Sequence, residues 1–290
     1  MKSMVSFLLT GLLATSGSAG AMSTAEAEQV FADRLNYLDA GKAGQDLIAE
    51  AREALKVATA TATGDRQLAL AAKAFRLYIV GGDYLLAKEG EDKKLRRDLF
   101  EECTRWIDVI SPARIGRENQ VYYMGINACR AWMVEVGTLV DALKMPSWFG
   151  GDEDAFYVGL EAGAEFLGGG IYRAAAAFMT NPEVSIIGLY RPEEALAMME
   201  KAMATGPDPL DPVGRTGEDY CENYHYLSLA RLAVGDVDGA ATIIDDALFW
   251  FDIDLATMTA GEAPAGYEAE TQMCARRIHQ YLEDHPELGF

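Results

Sequence analysis

The chain has 290 residues, of which half are apolar and a tenth are aromatic. This is the composition of a folded protein and excludes an intrinsically disordered one. The 25 Lys and Arg residues against 45 Asp and Glu residues give a formal net charge of −20. Such a surface repels polyanions, so nucleic acid and anionic lipid headgroups are poor candidates for partners. An acidic surface is also a common source of solubility, and we give that interpretation the most weight.

The N-terminus has the pattern of a secretory signal peptide. Lys2 supplies a positive charge, residues 5–14 are mostly apolar, and an A-x-A cleavage pattern ends at Ala21. The apolar stretch is too short to cross the ~30 Å hydrocarbon core of a bilayer, and no Cys follows it to accept a lipid. We therefore expect removal of residues 1–21 and export of residues 22–290 as one domain without a membrane span, which is periplasmic in a Gram-negative host.

The exported part is rich in residues that favour helix and lacks long alternating runs of β-branched residues. We therefore predict a nearly all-α chain, with Gly, Pro and Asp marking the joints between helices. The predicted helices are 25–40, 44–62, 65–80, 92–110, 118–143, 152–167, 170–180, 192–205, 218–234, 236–250 and 264–284. Short joints between helices of this length favour antiparallel hairpins, and a series of hairpins forms an α-solenoid.

Two of these predicted helices carry a stripe of a small, a large and a small residue, with the spacing of a tetratricopeptide repeat. The stripes are Ala195, Met199 and Ala202, and Ala240, Ile244 and Ala247. The alanines of a stripe are about two turns apart on one face, so a neighbouring helix can approach closely there. The predicted fold is therefore an all-α, right-handed, tetratricopeptide-like α-solenoid of antiparallel helix pairs.

A motif in the middle of the chain points to a particular family of helical-repeat proteins. A predicted helix ends in the glycines 168–170, Tyr172 and Arg173 open the next helix, and the sequence Glu-Lys-Ala at 200–202 lies in the helix after it. Over roughly residues 65–250 the chain resembles the T component associated with tripartite ATP-independent periplasmic (TRAP) transporters. The resemblance implies a periplasmic solenoid that docks onto the transporter's solute-binding protein. It also implies an apolar cavity for a small hydrophobic ligand, and homo-oligomers.

The glycines at 168–170 also raise the question of a phosphate-binding loop. No strand precedes them and no Lys-Ser or Lys-Thr pair follows, so we interpret them as the end of a helix with close helix packing. Arg173 is able to bind a carboxylate ligand. The more frequent role of such an Arg is to bind loop carbonyls, and we favour that role.

Cysteine, histidine and carboxylate patterns give no sign of a metal or catalytic centre. The residues concerned are Cys103, Cys129, Cys221 and Cys274, and His225, His279 and His285. The cysteines are far apart and the histidines are isolated, so we expect no metal site and no cofactor. The default role of each cysteine is a small buried side chain. An exported protein can also form one or two disulfides, and the sequence does not determine their pairing. No residue pattern resembles an activated nucleophile, so we predict that the protein is not an enzyme.

Aromatic side chains are the main candidates for partner contacts. In a solenoid the first helix of each pair lines the concave face, and Tyr and Trp are frequent interface residues. The candidate partner- or ligand-binding residues are Tyr122, Tyr123, Trp132, Trp148, Phe149, Tyr172, Arg173, Tyr224, Trp250 and Phe251. We expect Trp148, Phe149, Trp250 and Phe251 to be exposed, and most other aromatic residues to fill the core.

The sequence thus predicts a non-enzymatic periplasmic protein that docks a partner, the solute-binding protein of a TRAP transporter, and that holds or passes a small hydrophobic molecule. Two alternatives remain open. A generic periplasmic scaffold for envelope assembly predicts an open groove and no tunnel. A hydrolase on a helical toroid predicts converging carboxylates or histidines with shifted pKa values.

Overall fold

The computed structural model describes residues 22–85, 90–110, 128–130, 165–208, 211 and 213–290, and these are mostly helical. The helices are α1 (Thr24–Ala32), α2 (Gly41–Thr61), α3 (Gly64–Ile79), α4 (Gly90–Val109), α5 (Gly170–Met179), α6 (Pro192–Met203), α7 (Cys221–Ala233), α8 (Val237–Trp250) and α9 (Glu268–Asp284). Shorter 3-10 turns span Arg34–Tyr37, Pro182–Ile187, Gly217–Asp219 and Pro286–Leu288, and a π-helical turn spans Val80–Tyr84.

The predicted helical class is confirmed, and the helices begin and end close to the predicted positions. One prediction needs correction, because the helix expected at 25–40 ends at Ala32 and resumes as a 3-10 turn. The chain is also not purely helical. Strands β1 (Ile253–Asp254) and β2 (Thr259–Ala260) form a short antiparallel hairpin after α8. The helices predicted at 118–143 and 152–167 lie largely outside the described residues.

Neighbouring helices pack as pairs, α2 on α3, α5 on α6 and α7 on α8. Helix α7 lies centrally in the C-terminal part, because it also contacts α5, α6 and α9. The alanines of both predicted stripes are completely buried, as are Met199 and Ile244 between them. The Ser228 hydroxyl of α7 donates a hydrogen bond to the Ala240 carbonyl of α8 at 2.9 Å, which is the close helix approach that small residues allow.

The two ends of the chain contact each other. Arg34, in the turn after α1, donates from Nε to Glu270 Oε1 of α9 at 3.0 Å, across 236 positions of sequence. Arg76 of α3 donates from Nε to the same oxygen at 2.9 Å, and Arg276 of α9 pairs with Asp39 at 2.9 Å. In an open solenoid each repeat contacts only its neighbours. The described part of this chain departs from that arrangement, because its first helices close against its last helix.

All four cysteines form disulfides, as Cys103–Cys129 and Cys221–Cys274. The expectation of four small buried side chains is therefore incomplete, since each cysteine also links two segments. Cys221 opens α7 and Cys274 lies in α9, so the second disulfide joins these two helices, with their Cα atoms 6.1 Å apart. It holds α7 and α9 together.

Candidate functional site

The glycine-rich segment and Arg173 have the structural roles that the sequence favours. Gly169 has a φ of +83°, and a Cβ there would lie 2.8 Å from the Cα of Ala202, so close helix packing is confirmed. Arg173 donates to the carbonyl of Gly168 at 2.9 Å and to that of Leu167 at 2.6 Å. A third bond, 2.6 Å long, joins its guanidinium to the Asn223 side chain of α7.

The aromatic candidates fall into three groups. Outside the described residues lie Tyr122, Tyr123, Trp132, Trp148 and Phe149. Within them, Tyr172 is half-buried and Tyr224 is buried. Trp250 is 62% exposed, so its predicted exposure is confirmed.

The expected exposure of Phe251 is wrong, because this ring is only 4% exposed. It packs edge-on against Tyr224, with ring centroids 5.6 Å apart. Its burial agrees with the helical spacing of the sequence. Phe251 continues the buried stripe of Ala240, Ile244 and Ala247 at the next helical step of four residues, and so belongs to the core face of α8.

Phe249, and not Phe251, is the exposed aromatic neighbour of Trp250. It is 77% exposed and is the most exposed large apolar side chain among the described residues. Its ring meets that of Trp250 edge-on at 5.4 Å. Asp245, Asp246 and Asp252, close by in sequence, are also exposed. The last turn of α8 therefore presents two adjacent aromatic rings in an acidic surrounding, which we call the Phe249–Trp250 pair.

A second region combines polar residues of α7 and α9. Tyr226 of α7 accepts a hydrogen bond at its hydroxyl from Arg277 Nη1 of α9, at 3.0 Å. Glu222 precedes Tyr226 by four positions and therefore lies on the same face of α7, one turn nearer the N-terminus of the helix. All three side chains are half-buried. We call Glu222, Tyr226 and Arg277 the α7–α9 polar group.

Glu222 is the unusual member of the α7–α9 polar group. Among the described residues, no side chain forms a hydrogen bond or an ion pair with its carboxylate. Burial raises the pKa of Glu222, and nearby Glu270 also raises it, while Arg173, Arg277 and the Glu222 backbone lower it less than burial raises it. Burial is thus the largest influence on this carboxylate, although the residue keeps some accessible surface.

Glu270, close to Glu222 on α9, has the opposite environment. Its Oε1 accepts bonds from Arg34 and Arg76, and its Oε2 pairs with Arg34. Burial alone would raise the pKa of Glu270, but Arg76 and Arg34 outweigh it and hold the pKa at about 2. Both arginines also donate to the Gly266 carbonyl, at 2.7 and 3.0 Å. The carboxylate oxygens of Glu270 are thus bonded by protein groups, and these bonds connect the two ends of the chain.

The histidines lie apart from one another in aromatic or acidic surroundings. His225 is buried against the rings of Tyr226 and Tyr281, at centroid distances of 5.0 and 5.1 Å. His279 and His285 lie beside Glu283 and Glu287. Within the described ranges, no group of three His, Cys, Asp or Glu residues is placed to hold a metal ion.

Comparison with known proteins gives no relative for this chain. No protein-family model, no curated protein and no solved structure matches it. In the part of the chain that the structure describes, no helix has both the length and the apolar character needed to cross a membrane. The Phe249–Trp250 pair is therefore the main candidate for a functional contact among the described residues.

Proposed function

We propose that this protein is a non-enzymatic, exported helical-repeat protein that docks a protein partner through the Phe249–Trp250 pair. The resemblance to the TRAP-associated T component makes the transporter's solute-binding protein the proposed partner. The observation that carries the proposal is the exposure of two adjacent large aromatic rings on a well-packed helix. Exposed aromatic residues of this kind are typical anchors of protein interfaces.

The scaffold beneath the Phe249–Trp250 pair supports this role. The opposite face of α8 is the buried stripe that ends at Phe251, and the Asp236 side chain caps the start of α8 by accepting from the Gly239 N–H at 3.0 Å. A helix held at both ends presents its rings with little loss of conformational freedom on binding. The exposed aspartates around the rings favour a partner whose apolar pocket has a basic rim.

Export and the repeat class are supported by other observations. Pairing of all four cysteines fits an oxidising compartment, while the signal peptide itself lies outside the described residues and stays a prediction. The three helix pairs and the two buried stripes support a tetratricopeptide-like class. The apolar tunnel and its hydrophobic ligand also stay predictions, since nothing in the described residues tests them.

The contacts of Glu270 support the non-enzymatic part of the proposal. The hydrolase alternative needs two carboxylates that both reach a substrate. Glu222 and Glu270 do differ in pKa direction, as an acid and a base would. However, both oxygens of Glu270 are bonded to arginines of the protein, and the residue is buried. Of these two carboxylates, only Glu222 has no bonded side-chain partner among the described residues, so the two do not form the pair that hydrolysis needs.

The test uses the mature protein purified from the periplasm of its own host and analysed by native mass spectrometry. We expect a solute-binding protein in a fixed ratio with the wild-type chain, and its loss in the Phe249→Ala/Trp250→Ala double variant. Phe290→Ala is the matched control, because it removes another exposed aromatic side chain. Exposed substitutions change stability by only about 0.5 kcal/mol, so both variants should fold. A wild-type chain without a partner, or a double variant that keeps it, contradicts the proposal.

A further inference from the structure

The C-terminal part of the chain contains a long stretch without a positively charged side chain. Residues 232–275 include nine Asp and Glu residues and no Lys, Arg or His. Of the nine acids, Asp236 pairs with Arg231, and Glu270 pairs with the two arginines described above. The other seven are exposed, and none forms an ion pair with a described residue: Asp238, Asp245, Asp246, Asp252, Asp254, Glu262 and Glu268.

Solubility alone does not explain this arrangement. A soluble surface usually mixes charges of both signs, and all 25 Lys and Arg residues of the chain lie outside the acidic stretch. The acids by themselves would indicate no site. However, exposed aromatic rings oppose solubility, and the Phe249–Trp250 pair lies within this stretch. A surface with charges of a single sign attracts partners of the opposite sign, so the rings and the charge together indicate a positively charged partner.

Each ring of the Phe249–Trp250 pair has an aspartate beside it on α8. Asp245 precedes Phe249 by four positions, and Asp246 precedes Trp250 by the same interval. Residues four positions apart on a helix are neighbours, with their Cβ atoms about 5–6 Å apart. Both aspartates are exposed, and no described side chain is bonded to either carboxylate. The helix therefore presents two neighbouring combinations of a ring and a carboxylate to a partner.

The end of α8 also lacks the positive charge that the C-terminus of a helix favours. The last carbonyl groups of a helix carry partial negative charge, which a cation stabilises. Helix α8 has no basic residue in its last turn, and Asp252 directly follows its C-cap residue, Phe251. A cation that a partner brings to this end therefore interacts favourably with the helix as well as with the aspartates.

We propose that the partner contacts the Phe249–Trp250 pair with arginine side chains, which stack on the two rings and pair with Asp245 and Asp246. This inference rests on the proposed docking function and names the chemistry of the partner's side of the contact. A planar guanidinium group stacks on aromatic faces and binds a carboxylate through two parallel hydrogen bonds. Trp is the best ring for such a cation contact. A lysine ammonium group has no planar fork and fits this combination less well.

The charge also disfavours other occupants of this surface. A second copy of the chain would bring its own Asp245 and Asp246 against the same residues, and like charges across an interface oppose binding. A partner that presents acidic or phosphate groups is repelled for the same reason. A purely apolar pocket would remove the two aspartates from water without a bonding partner, which destabilises a complex.

The first test is an NMR titration of the isotope-labelled mature protein with three synthetic peptides. The peptides are the acetylated amides of tetra-arginine, tetra-lysine and tetra-glutamate, and the resonance followed is the indole N–H of Trp250, which the Trp250→Phe variant identifies.

We expect tetra-arginine to bind most tightly, tetra-lysine to bind at least about threefold more weakly, and tetra-glutamate not to bind. Added sodium chloride should weaken the binding of tetra-arginine, because salt screens exposed charges. Absence of a response to tetra-arginine contradicts the proposal. Equal affinity for tetra-lysine contradicts the assignment of arginine as the contacting residue.

Two double variants locate the contact. Asp245→Asn/Asp246→Asn removes the carboxylates beside the rings, and the affinity for tetra-arginine should fall by about tenfold. Glu50→Gln/Asp98→Asn removes the same charge from exposed positions of α2 and α4, and its affinity should stay within about twofold of the wild type. All four positions are exposed, so both variants should fold. Equal affinity of the two variants would show that only the overall charge matters and would overturn the local contact.

Failure of this inference is distinguishable from failure of the proposed docking. If Asp245→Asn/Asp246→Asn keeps the solute-binding protein and Phe249→Ala/Trp250→Ala loses it, docking through the rings holds and the arginine contact is wrong. If the wild type binds no protein partner but binds tetra-arginine as expected, the solute-binding protein is the wrong partner and the arginine contact holds. Sedimentation of the wild type gives a further check. A dimer that Phe249→Ala/Trp250→Ala abolishes would assign the surface to a second copy and overturn the inference.

Discussion

Glu222 on α7 and Glu270 on α9 are two glutamates in one region with opposite environments. The disulfide Cys221–Cys274 joins the two helices beside them, and arginines are near both carboxylates. Yet the pKa of Glu270 is lowered to about 2 while that of Glu222 is raised. Glu270 accepts direct bonds from two guanidinium groups, whereas Arg173 and Arg277 act on Glu222 only from a distance. Nearby positive charge therefore does not compensate for lost hydration unless it is joined by direct hydrogen bonds.

The same comparison separates a structural acid from an acid without a direct side-chain partner among the described residues. Glu270 fixes the contact between the chain ends, and its oxygens are occupied by Arg34 and Arg76. Glu222 contributes no such contact among the described residues. Functional sites commonly keep groups that lower the stability of the free protein. Substitution of the two glutamates should therefore change stability in opposite directions at neutral pH.

The largest expected effect is that of Glu270→Gln. The substitution leaves the buried guanidinium groups of Arg34 and Arg76 without their anion, and breaking a buried pair in this way costs about 3–5 kcal/mol. Urea unfolding at neutral pH measures the loss. Glu283→Gln, at an exposed position of the same helix, is the control and should change stability by less than about 0.5 kcal/mol. Equal stability of the two variants would mean that the chain ends are held together by other contacts.

The second expected effect is a loss of stability in acid that depends on Glu270. Its folded pKa, about 2, lies below the ordinary value of 4.5. The stabilisation is therefore complete above pH 4.5 and is lost as the pH falls from 4.5 to about 2, and it amounts to about 3 kcal/mol. Other carboxylates titrate in this interval, including Glu28, whose pKa is also lowered to about 2 by Arg66 and Lys73 despite the opposing effect of burial. The difference between wild-type and Glu270→Gln unfolding curves isolates Glu270, and that difference should shrink towards pH 2.

Local patterns made much of this molecule predictable. Helical spacing located the helices of the described ranges, the two stripes proved to be core, and the carbonyl-binding role of Arg173 followed from the loop before it. The burial of Phe251 could also have been predicted from the sequence, since this residue continues the buried stripe of α8. The error arose because the adjacent residues Trp250 and Phe251 were given the same exposure, although a helix turns neighbouring residues to different faces.

The unpredicted features depend on contacts between distant parts of the sequence. Arg34 and Glu270 are 236 positions apart, and no local spacing links them. The cysteine pairing is undetermined for the same reason, because four cysteines allow three pairings. Glu222 could not be singled out either. An acid in the first turn of a helix has an ordinary explanation, and only the packing of α7 against its neighbours brings Glu222 near Arg173, Glu270 and Arg277.

The smallest expected effect, and the most informative one, is that of Glu222→Gln. The folded pKa of Glu222 lies above 4.5, so ionisation of this group lowers the stability of the protein as the pH rises from 4.5 to the folded pKa, whereas below pH 4.5 the group is protonated in both states. The substitution should therefore raise the free energy of unfolding at neutral pH by less than Glu270→Gln lowers it. Below pH 4.5 the two curves should coincide. Urea unfolding at both pH values measures this. A loss of stability at neutral pH would place Glu222 with Glu270 as a structural acid and would remove the contrast between the two carboxylates.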